Sequence, residues 1–195
     1  ASTMGKATGS AGDRSFRWVT PRQERSRSTM DRLLDTTEAL LRDRSFEDLS
    51  IAMICKAADS HVGSFYNLFK DKDALLECLL ERVDRDRVAT FTRALHHARE
   101  TGMTIEQRAT ALVGSAVRIA VSRPGALRAW NYARRHQGFT WKGAAEANAA
   151  VIDAITELFL DCRDRIGHPS PRRAIEFALV ANQETVTRFL MDPHT

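Results

Sequence analysis

The sequence predicts an all-α protein with about eight helices, and three observations lead to this fold class. Apolar residues recur three or four positions apart along most of the chain, which is the period of an amphipathic helix. Residues that cap helices stand before the apolar stretches, and Gly or Pro stands after several of them. Of the 195 residues 43% are hydrophobic and 28% are charged, so the chain has a globular composition and the length for a sizeable core.

The front of the chain is predicted to contain four helices after a flexible extension. Residues 1–24 are rich in Gly, Ser and Thr and predict that extension, and an apolar stripe predicts the first helix over about 25–44. Ser50 is placed as the N-cap of a short second helix, and a two-residue polar break separates it from a third helix over about 61–68. Asp71 is placed as the cap of a fourth helix that reaches about residue 101 and links two parts of the molecule.

The back of the chain is predicted to contain four more helices. Thr104 and Gln107 have the spacing of a capping box, and Pro124 ends the helix that they begin and opens the next one, which reaches about residue 136. The last two helices are predicted over about 141–166 and 171–191, with a Gly-His-Pro-Ser-Pro break between them. The apolar residues of these two helices spread over more than one face, which favours a homodimer that covers the outer side.

Charge is unevenly distributed at the front of the chain. The net charge is +4, and residues 1–28 alone carry six basic and two acidic side chains. Residues 29–48 carry three basic and six acidic side chains, so a basic arm precedes a mildly acidic segment. Such an arm suits binding to nucleic acid through phosphate neutralisation, and a solubilising tail is the alternative.

The most informative segment is residues 50–75, SIAMICKAADSHVGSFYNLFKDKDAL. Two short helices joined by a tight turn are the pattern of a helix-turn-helix, whose second helix enters the major groove of DNA. That second helix begins with small and polar residues, and Gly63 costs about 1 kcal/mol relative to Ala within a helix. A glycine there is explained if the backbone must approach another surface closely, while Phe65, Leu68 and Phe69 supply the inward side.

This segment resembles the DNA-binding domain of TetR-family transcriptional regulators, over residues from about 28 to 76. The family pattern opens with Thr or Ser and continues I-A-x-x-A-G-V-S-x-G-T-x-Y-x-x-F-x-x-K-x-x-L. Two departures are Cys55 in place of Ala and Asp59-Ser60-His61 in place of Gly-Val-Ser. The matching residues are Ser50, Ile54, Ala58, Gly63, Ser64, Tyr66, Phe69, Lys72 and Leu75.

The resemblance implies roles for individual residues in binding DNA. Tyr66 and Lys72 would contact phosphates, and Ser50 would cap the second helix and donate to a phosphate. His61, Val62, Ser64 and Phe65 are the candidates for contacts with base edges, although Phe65 and Val62 also suit a packing role. Apart from the resemblance, arginines in a flexible arm beside a helix-turn-helix can enter the adjacent minor groove, and Arg25 and Arg27 lie closest to the start of the first helix. The complete predicted set is Arg25, Arg27, Ser50, His61, Val62, Gly63, Ser64, Phe65, Tyr66, Lys70 and Lys72.

The middle of the chain contains candidates for a ligand cavity between helices. Aromatic residues and a methionine cluster there, and a plain aromatic core is the alternative interpretation. No metal site is predicted, since no His, Cys or acidic residues have metal-ligand spacing, and no nucleophile or phosphate-loop motif predicts an enzyme or a cofactor. The candidate residues are Phe91, Met103, Trp130, Tyr132, Phe139 and Trp141.

Together these patterns predict a DNA-binding domain over 25–76 and a helical ligand-binding and dimerisation domain over 77–195. The resemblance implies the function of a sequence-specific regulator, in particular a ligand-responsive repressor that binds a pseudo-palindromic operator in double-stranded DNA as a dimer. A helical protein–protein interaction module that retains the helix-turn-helix as a scaffold is the alternative. Three widely spaced cysteines without a pairing pattern fit a cytoplasmic protein, and no apolar run is long enough to predict a membrane span.

Overall fold

The computed structural model of the protein describes residues 18–135 and 142–191. Within these ranges the chain is helical, which confirms the predicted all-α class and the predicted order of helices. The eight α-helices are α1 (Glu24–Leu40), α2 (Ile51–Ala57), α3 (Val62–Tyr66), α4 (Lys72–Glu100), α5 (Ile105–Ser122), α6 (Pro124–Arg135), α7 (Lys142–Leu160) and α8 (Pro171–Met191).

Side-chain caps start three of these helices as the sequence predicts. The Ser50 hydroxyl accepts a hydrogen bond from the Met53 amide at 3.2 Å, and the Asp71 carboxylate accepts one from the Ala74 amide at 2.7 Å. Thr104 and Gln107 form a complete capping box, with bonds of 3.3 and 2.9 Å. Each cap satisfies an amide that the first turn of a helix leaves without a backbone partner.

Two helices end earlier than predicted. Helix α1 ends at Leu40 rather than near residue 44, because the chain turns there to bury Leu41, Phe46 and Leu49. These side chains lie in the core of the unit formed by α1, α2, α3 and the start of α4, which we call the front domain. Helix α7 ends at Leu160 rather than near residue 166, and a short 3₁₀ turn follows. At that end the buried guanidinium of Arg108, from α5, donates to the Leu158 carbonyl and so satisfies a carbonyl that the helix end leaves free.

The chain before α1 is packed against the front domain from residue 18 onward. The Val19 amide donates to the Leu68 carbonyl at 2.9 Å, Trp18 forms an isolated bridge with Phe69, and Pro21 is buried. The prediction of a flexible extension as far as residue 24 is therefore corrected for residues 18–24, because backbone pairing and burial hold them in place. Residues 1–17 lie outside the described residues.

Two hydrophobic cores organise the molecule. The first joins α1, α2 and α3 to the start of α4 and also includes Ala126, Ala129 and Ala133 of α6. The second lies between α7 and α8, with side chains from α5 and the far half of α4 packed against it. Helix α6 thus belongs to the core of the front domain although it lies far along the chain. Within the described helices, no segment has both the length and the apolar character needed to cross a membrane.

The start of α6 is held tightly against α1. The Arg123 guanidinium donates from Nε and Nη2 to the two carboxylate oxygens of Glu38, at 2.7 and 2.6 Å, and from Nη1 to Asp86 of α4 at 3.0 Å. A Cβ added to Gly125 would lie 2.0 Å from the Glu38 carbonyl oxygen. We call this contact between Glu38, Asp86, Arg123 and Gly125 the α1–α6 junction.

Candidate nucleic-acid interface and internal cavity

Helix α3 has one buried side and one exposed side. Phe65 is fully buried and its ring lies 5.4 Å from that of Phe69, which is the packing role that the sequence left open for it. Val62 and Tyr66 are 44% and 56% exposed, and His61 at the N-cap position is exposed as well. Phe65 therefore has no surface to offer a base edge, and it orients α3 instead.

Gly63 lies on the exposed side of α3 with open space around it. A Cβ added there would have no heavy atom within 4 Å, so packing within the chain gives no reason for a glycine at this position. Ser64, the next residue, is half-buried. The glycine thus leaves the backbone of α3 accessible to a second surface, as the sequence predicts.

The turn before α3 is formed by Asp59 in the left-handed region, with a φ of +47°. The family pattern has Gly there, and Asp is one of the few other residues that adopt this conformation at low cost. The Ser60 amide then donates to the Cys55 carbonyl at 2.9 Å and closes the turn. The departure from the Gly-Val-Ser pattern is compatible with a tight helix-turn-helix.

Lys72 is directed into the domain rather than into solvent. Its ammonium donates to the carbonyls of Phe46 and Leu49 at 2.9 and 2.7 Å, with the Glu47 carbonyl at 3.4 Å, and it lies 4.5 Å from the centre of the Phe46 ring. An ammonium has three donors, so these carbonyls occupy its hydrogen-bonding capacity. In this arrangement Lys72 holds the loop between α1 and α2 on the start of α4, and the predicted phosphate contact would require it to leave these carbonyls.

The remaining residues predicted to contact DNA differ in exposure and in the hydrogen bonds that their side chains already form. Lys70 and Arg25 are exposed. Arg27 donates from Nε to the Pro21 carbonyl at 3.1 Å, which ties α1 to the segment that precedes it. The Ser50 oxygen accepts from an amide, and its hydroxyl hydrogen remains a potential donor to a phosphate.

A cavity of about 350 Å³ lies between α4, α5, α6, α7 and α8. This volume is within the range of small-molecule sites. Its walls combine aliphatic side chains with Phe91, Trp130 and a few polar groups. The polar lining consists of Asp86, Arg87, Thr90, Ser122, Arg123, Asn131, Asn182 and Gln183.

Two of the six predicted cavity residues line it, namely Phe91 and Trp130. The prediction is wrong for Tyr132, whose ring packs 4.9 Å from Phe46 in the front core, where burial raises the pKa of its phenol. It is also wrong for Met103, which lies in the turn between α4 and α5 outside the cavity lining. Phe139 and Trp141, the other two, lie outside the described residues.

The polar residues that line the cavity were not among the residues predicted from the sequence, which were aromatic residues and one methionine. Asn131, Asn182 and Gln183 stand beside apolar positions of α6 and α8, and an amide beside the apolar stripe of a helix was the available signal. Arg123 links the cavity wall to the α1–α6 junction, and its hydrogen bond to Glu38 is the main cause of its raised pKa. The cavity wall therefore touches the first helix of the front domain through this side chain.

Two of the three cysteines are enclosed, and the third, Cys162, is half-buried. Cys55 and Cys78 are buried, and desolvation followed by the nearby Glu81 carboxylate raises the pKa of the Cys78 thiol to about 12. Among residues 18–135 and 142–191, no three His, Cys, Asp or Glu side chains come together as a metal site would require.

The comparison with protein families decides the nature of the front domain. Residues 33–79, which include α2, α3 and the start of α4, match the family model described as bacterial regulatory proteins, tetR family. The chain carries a TetR-family DNA-binding domain. Helices α1 to α3 of this TetR-family domain form a three-helix unit, and α3 stands where the recognition helix of a helix-turn-helix stands.

Solved structures support the same fold over most of the chain. The fatty acid degradation regulator FadR from Bacillus halodurans is 16% identical, with 84% of each chain covered and a TM-score of 0.65. NalD, the secondary repressor of the MexAB-OprM multidrug efflux pump in Pseudomonas aeruginosa, is 22% identical, with 88% of each chain covered and a TM-score of 0.61. A TerR/AcrR family transcriptional regulator from Aquifex aeolicus VF5 is 15% identical, covering 84% of this chain and 85% of that one, with a TM-score of 0.60. No curated protein sequence matches the chain.

The N-terminal domain therefore matches the tetR family of bacterial regulatory proteins, and most of the chain shares the fold of these solved structures. The all-helical C-terminal region, which the family model does not cover, shares its fold with these structures.

Proposed function

We propose that the protein is a transcriptional repressor that binds a pseudo-palindromic operator as a homodimer and that responds to a small molecule in the cavity. The observation that carries the proposal is the exposed side of α3. His61, Val62 and Tyr66 face outward there, and Gly63 leaves room for a close approach. In this proposal the protein catalyses no reaction and needs no cofactor, and it acts in the cytoplasm because its partner is the chromosome.

Contacts with bases and contacts with phosphates are assigned to different residues. His61, Val62 and Ser64 would meet base edges in the major groove, where an imidazole can reach an acceptor and a valine methyl can meet a thymine methyl. Tyr66 and Lys70 would contact phosphates, which set affinity and register but carry no sequence information.

Selection of bound fragments from random DNA, followed by titration at several salt concentrations, tests the proposal. If the protein is a regulator, the selection should recover a DNA site with two-fold symmetry. The protein should bind this site more tightly than random DNA, with an affinity that falls steeply as the salt concentration rises. Tyr66→Ala should weaken binding to both DNAs alike, whereas His61→Ala should change base preference by about 1–3 kcal/mol per lost contact. Equal affinity of the wild type for selected and random DNA would instead favour the interaction module.

A homodimer is proposed because α8 is apolar on its outer side as well. Ile175 and Leu179 pack inward in the second core, while Phe177 and Val180 are 75% and 51% exposed. A helix with two apolar sides is stable when a second surface covers the outer one. Light scattering at micromolar concentration should give the mass of two chains, and the mass of one chain would refute the dimer.

The basic arm is proposed to reach the minor groove beside the operator half-site. Its attachment supports this, because Val19 pairs with Leu68 just after α3, so the point where the arm joins the domain lies at the end of the helix-turn-helix. Deleting residues 1–17 should lower DNA affinity and reduce the salt dependence, since fewer counterions would be released. An unchanged affinity and an unchanged salt slope would show that the arm is a passive tail.

A further inference from the structure

Three side-chain amides in the cavity have no hydrogen-bond partner among the described residues. Asn131 projects from α6, and Asn182 and Gln183 project from α8, so the amides come from two different helices and line the same cavity. Each amide offers two donors and one acceptor oxygen. Asn131 and Asn182 are half-buried and Gln183 is exposed, so water can bond to these amides, and a ligand that displaces this water would have to replace those bonds.

The charged groups of the same cavity are already paired with one another. Arg123 is occupied by Glu38 and Asp86. Arg87 donates from Nε to the buried carboxylate of Asp84 at 2.8 Å, so both guanidinium charges have counter-charges. A charged ligand would enter without a free opposite charge among these residues, and burying an unpaired ion is costly.

Arg87 offers no further donor to a ligand in the cavity. Its Nη2 atom lies 2.6 Å from the Asp84 carboxylate and has almost no accessible surface. The guanidinium is therefore committed to Asp84.

We propose that the cavity takes an uncharged, mainly apolar molecule whose hydroxyl or carbonyl groups bond to Asn131 and Asn182. This inference rests on the proposed function of the cavity as a ligand site and adds the chemical class of the ligand. Aliphatic walls from five helices bind the body of the molecule, and the amides of α6 and α8 orient its polar end.

Calorimetric titration of the purified full-length chain with three matched probes tests the class. The probes are decan-1-ol, decanoate and decyltrimethylammonium, which share a ten-carbon chain and differ in the charge of the head. Decan-1-ol should bind at least tenfold more tightly than either charged probe. Asn182→Leu should weaken decan-1-ol about tenfold, whereas the control Asn67→Ala, at an exposed position after α3, should leave it unchanged.

The outcomes separate this inference from the proposed function. Binding of decanoate or of the ammonium probe as tightly as decan-1-ol would overturn the uncharged class and leave the regulator intact. Binding of none of the three would overturn the inference and also the cavity as a ligand site, while DNA selection would still report independently on regulation. An affinity for decan-1-ol unchanged by Asn182→Leu would show that the amides do not orient the ligand.

Discussion

Replacing Gly125 by Ala is predicted to destabilise the protein, because the added methyl group has no room at the α1–α6 junction. The new Cβ would lie 2.0 Å from the Glu38 carbonyl oxygen and 3.1 Å from its carbon, both of them backbone atoms. Ordinary contact needs about 3.4 Å, so α6 must move away from α1 by more than 1 Å, and overpacking of this kind costs about 1–3 kcal/mol. For a chain of this length we expect the melting temperature to fall by roughly 3–10 °C in calorimetry or circular dichroism.

Gly114→Ala is the matched control within α5. Its Cβ would meet only the Nη1 atom of Arg118 at 3.2 Å, and a flexible side chain can move aside. The better helix propensity of Ala should then raise stability by up to about 1 kcal/mol. If Gly125→Ala melted at or above the wild-type temperature, the close packing of α6 on α1 would be refuted.

Three further predictions concern exposed and enclosed groups. Gly63→Ala should keep or slightly raise the melting temperature, since the added Cβ contacts no other atom. It should lower operator affinity by tenfold or more in a titration. Unchanged affinity would show that the α3 backbone at Gly63 does not approach DNA closely. Phe177→Glu should give single chains in light scattering with helical circular dichroism retained, whereas a dimer that survives it would place the interface elsewhere. A maleimide should label the half-buried Cys162 in the native protein and should reach the buried Cys55 and Cys78 only on unfolding. Fast labelling of Cys78 in the native protein would contradict its burial and its raised pKa.

Features set by neighbouring residues were predictable from the sequence. Ser50, Asp71 and Thr104 act within one turn of the residues that they cap, so spacing alone identified them. The end of α7 was not predictable in this way, because the Leu158 carbonyl is satisfied by Arg108, which lies fifty positions earlier. Local pattern carries no information about that contact.

The same distinction applies to the candidate sites. The spacing of the helix-turn-helix predicted the exposed side of α3, since one buried aromatic orients a five-residue helix. The orientation of Lys72 was not predictable, because it depends on carbonyls more than twenty positions away in the chain. The cavity lining was not predictable either, because it depends on how five helices pack together. A periodic pattern identifies the inner side of a helix, but it does not tell which of those side chains border a void.

If the proposed ligand acts on the front domain through the α1–α6 junction, the bidentate pair between Arg123 and Glu38 limits how strongly ligand and DNA can oppose each other. Both side chains are largely enclosed, and hydrogen bonds between charged groups of this kind contribute about 2–3 kcal/mol. If ligand entry separated the pair, the two binding events would be coupled by at most that free energy, which corresponds to roughly 30- to 150-fold in affinity. The same factor would act in reverse, so operator DNA would weaken the ligand by as much as the ligand weakens DNA. A measured coupling well above this range would require a second link between the cavity and the front domain.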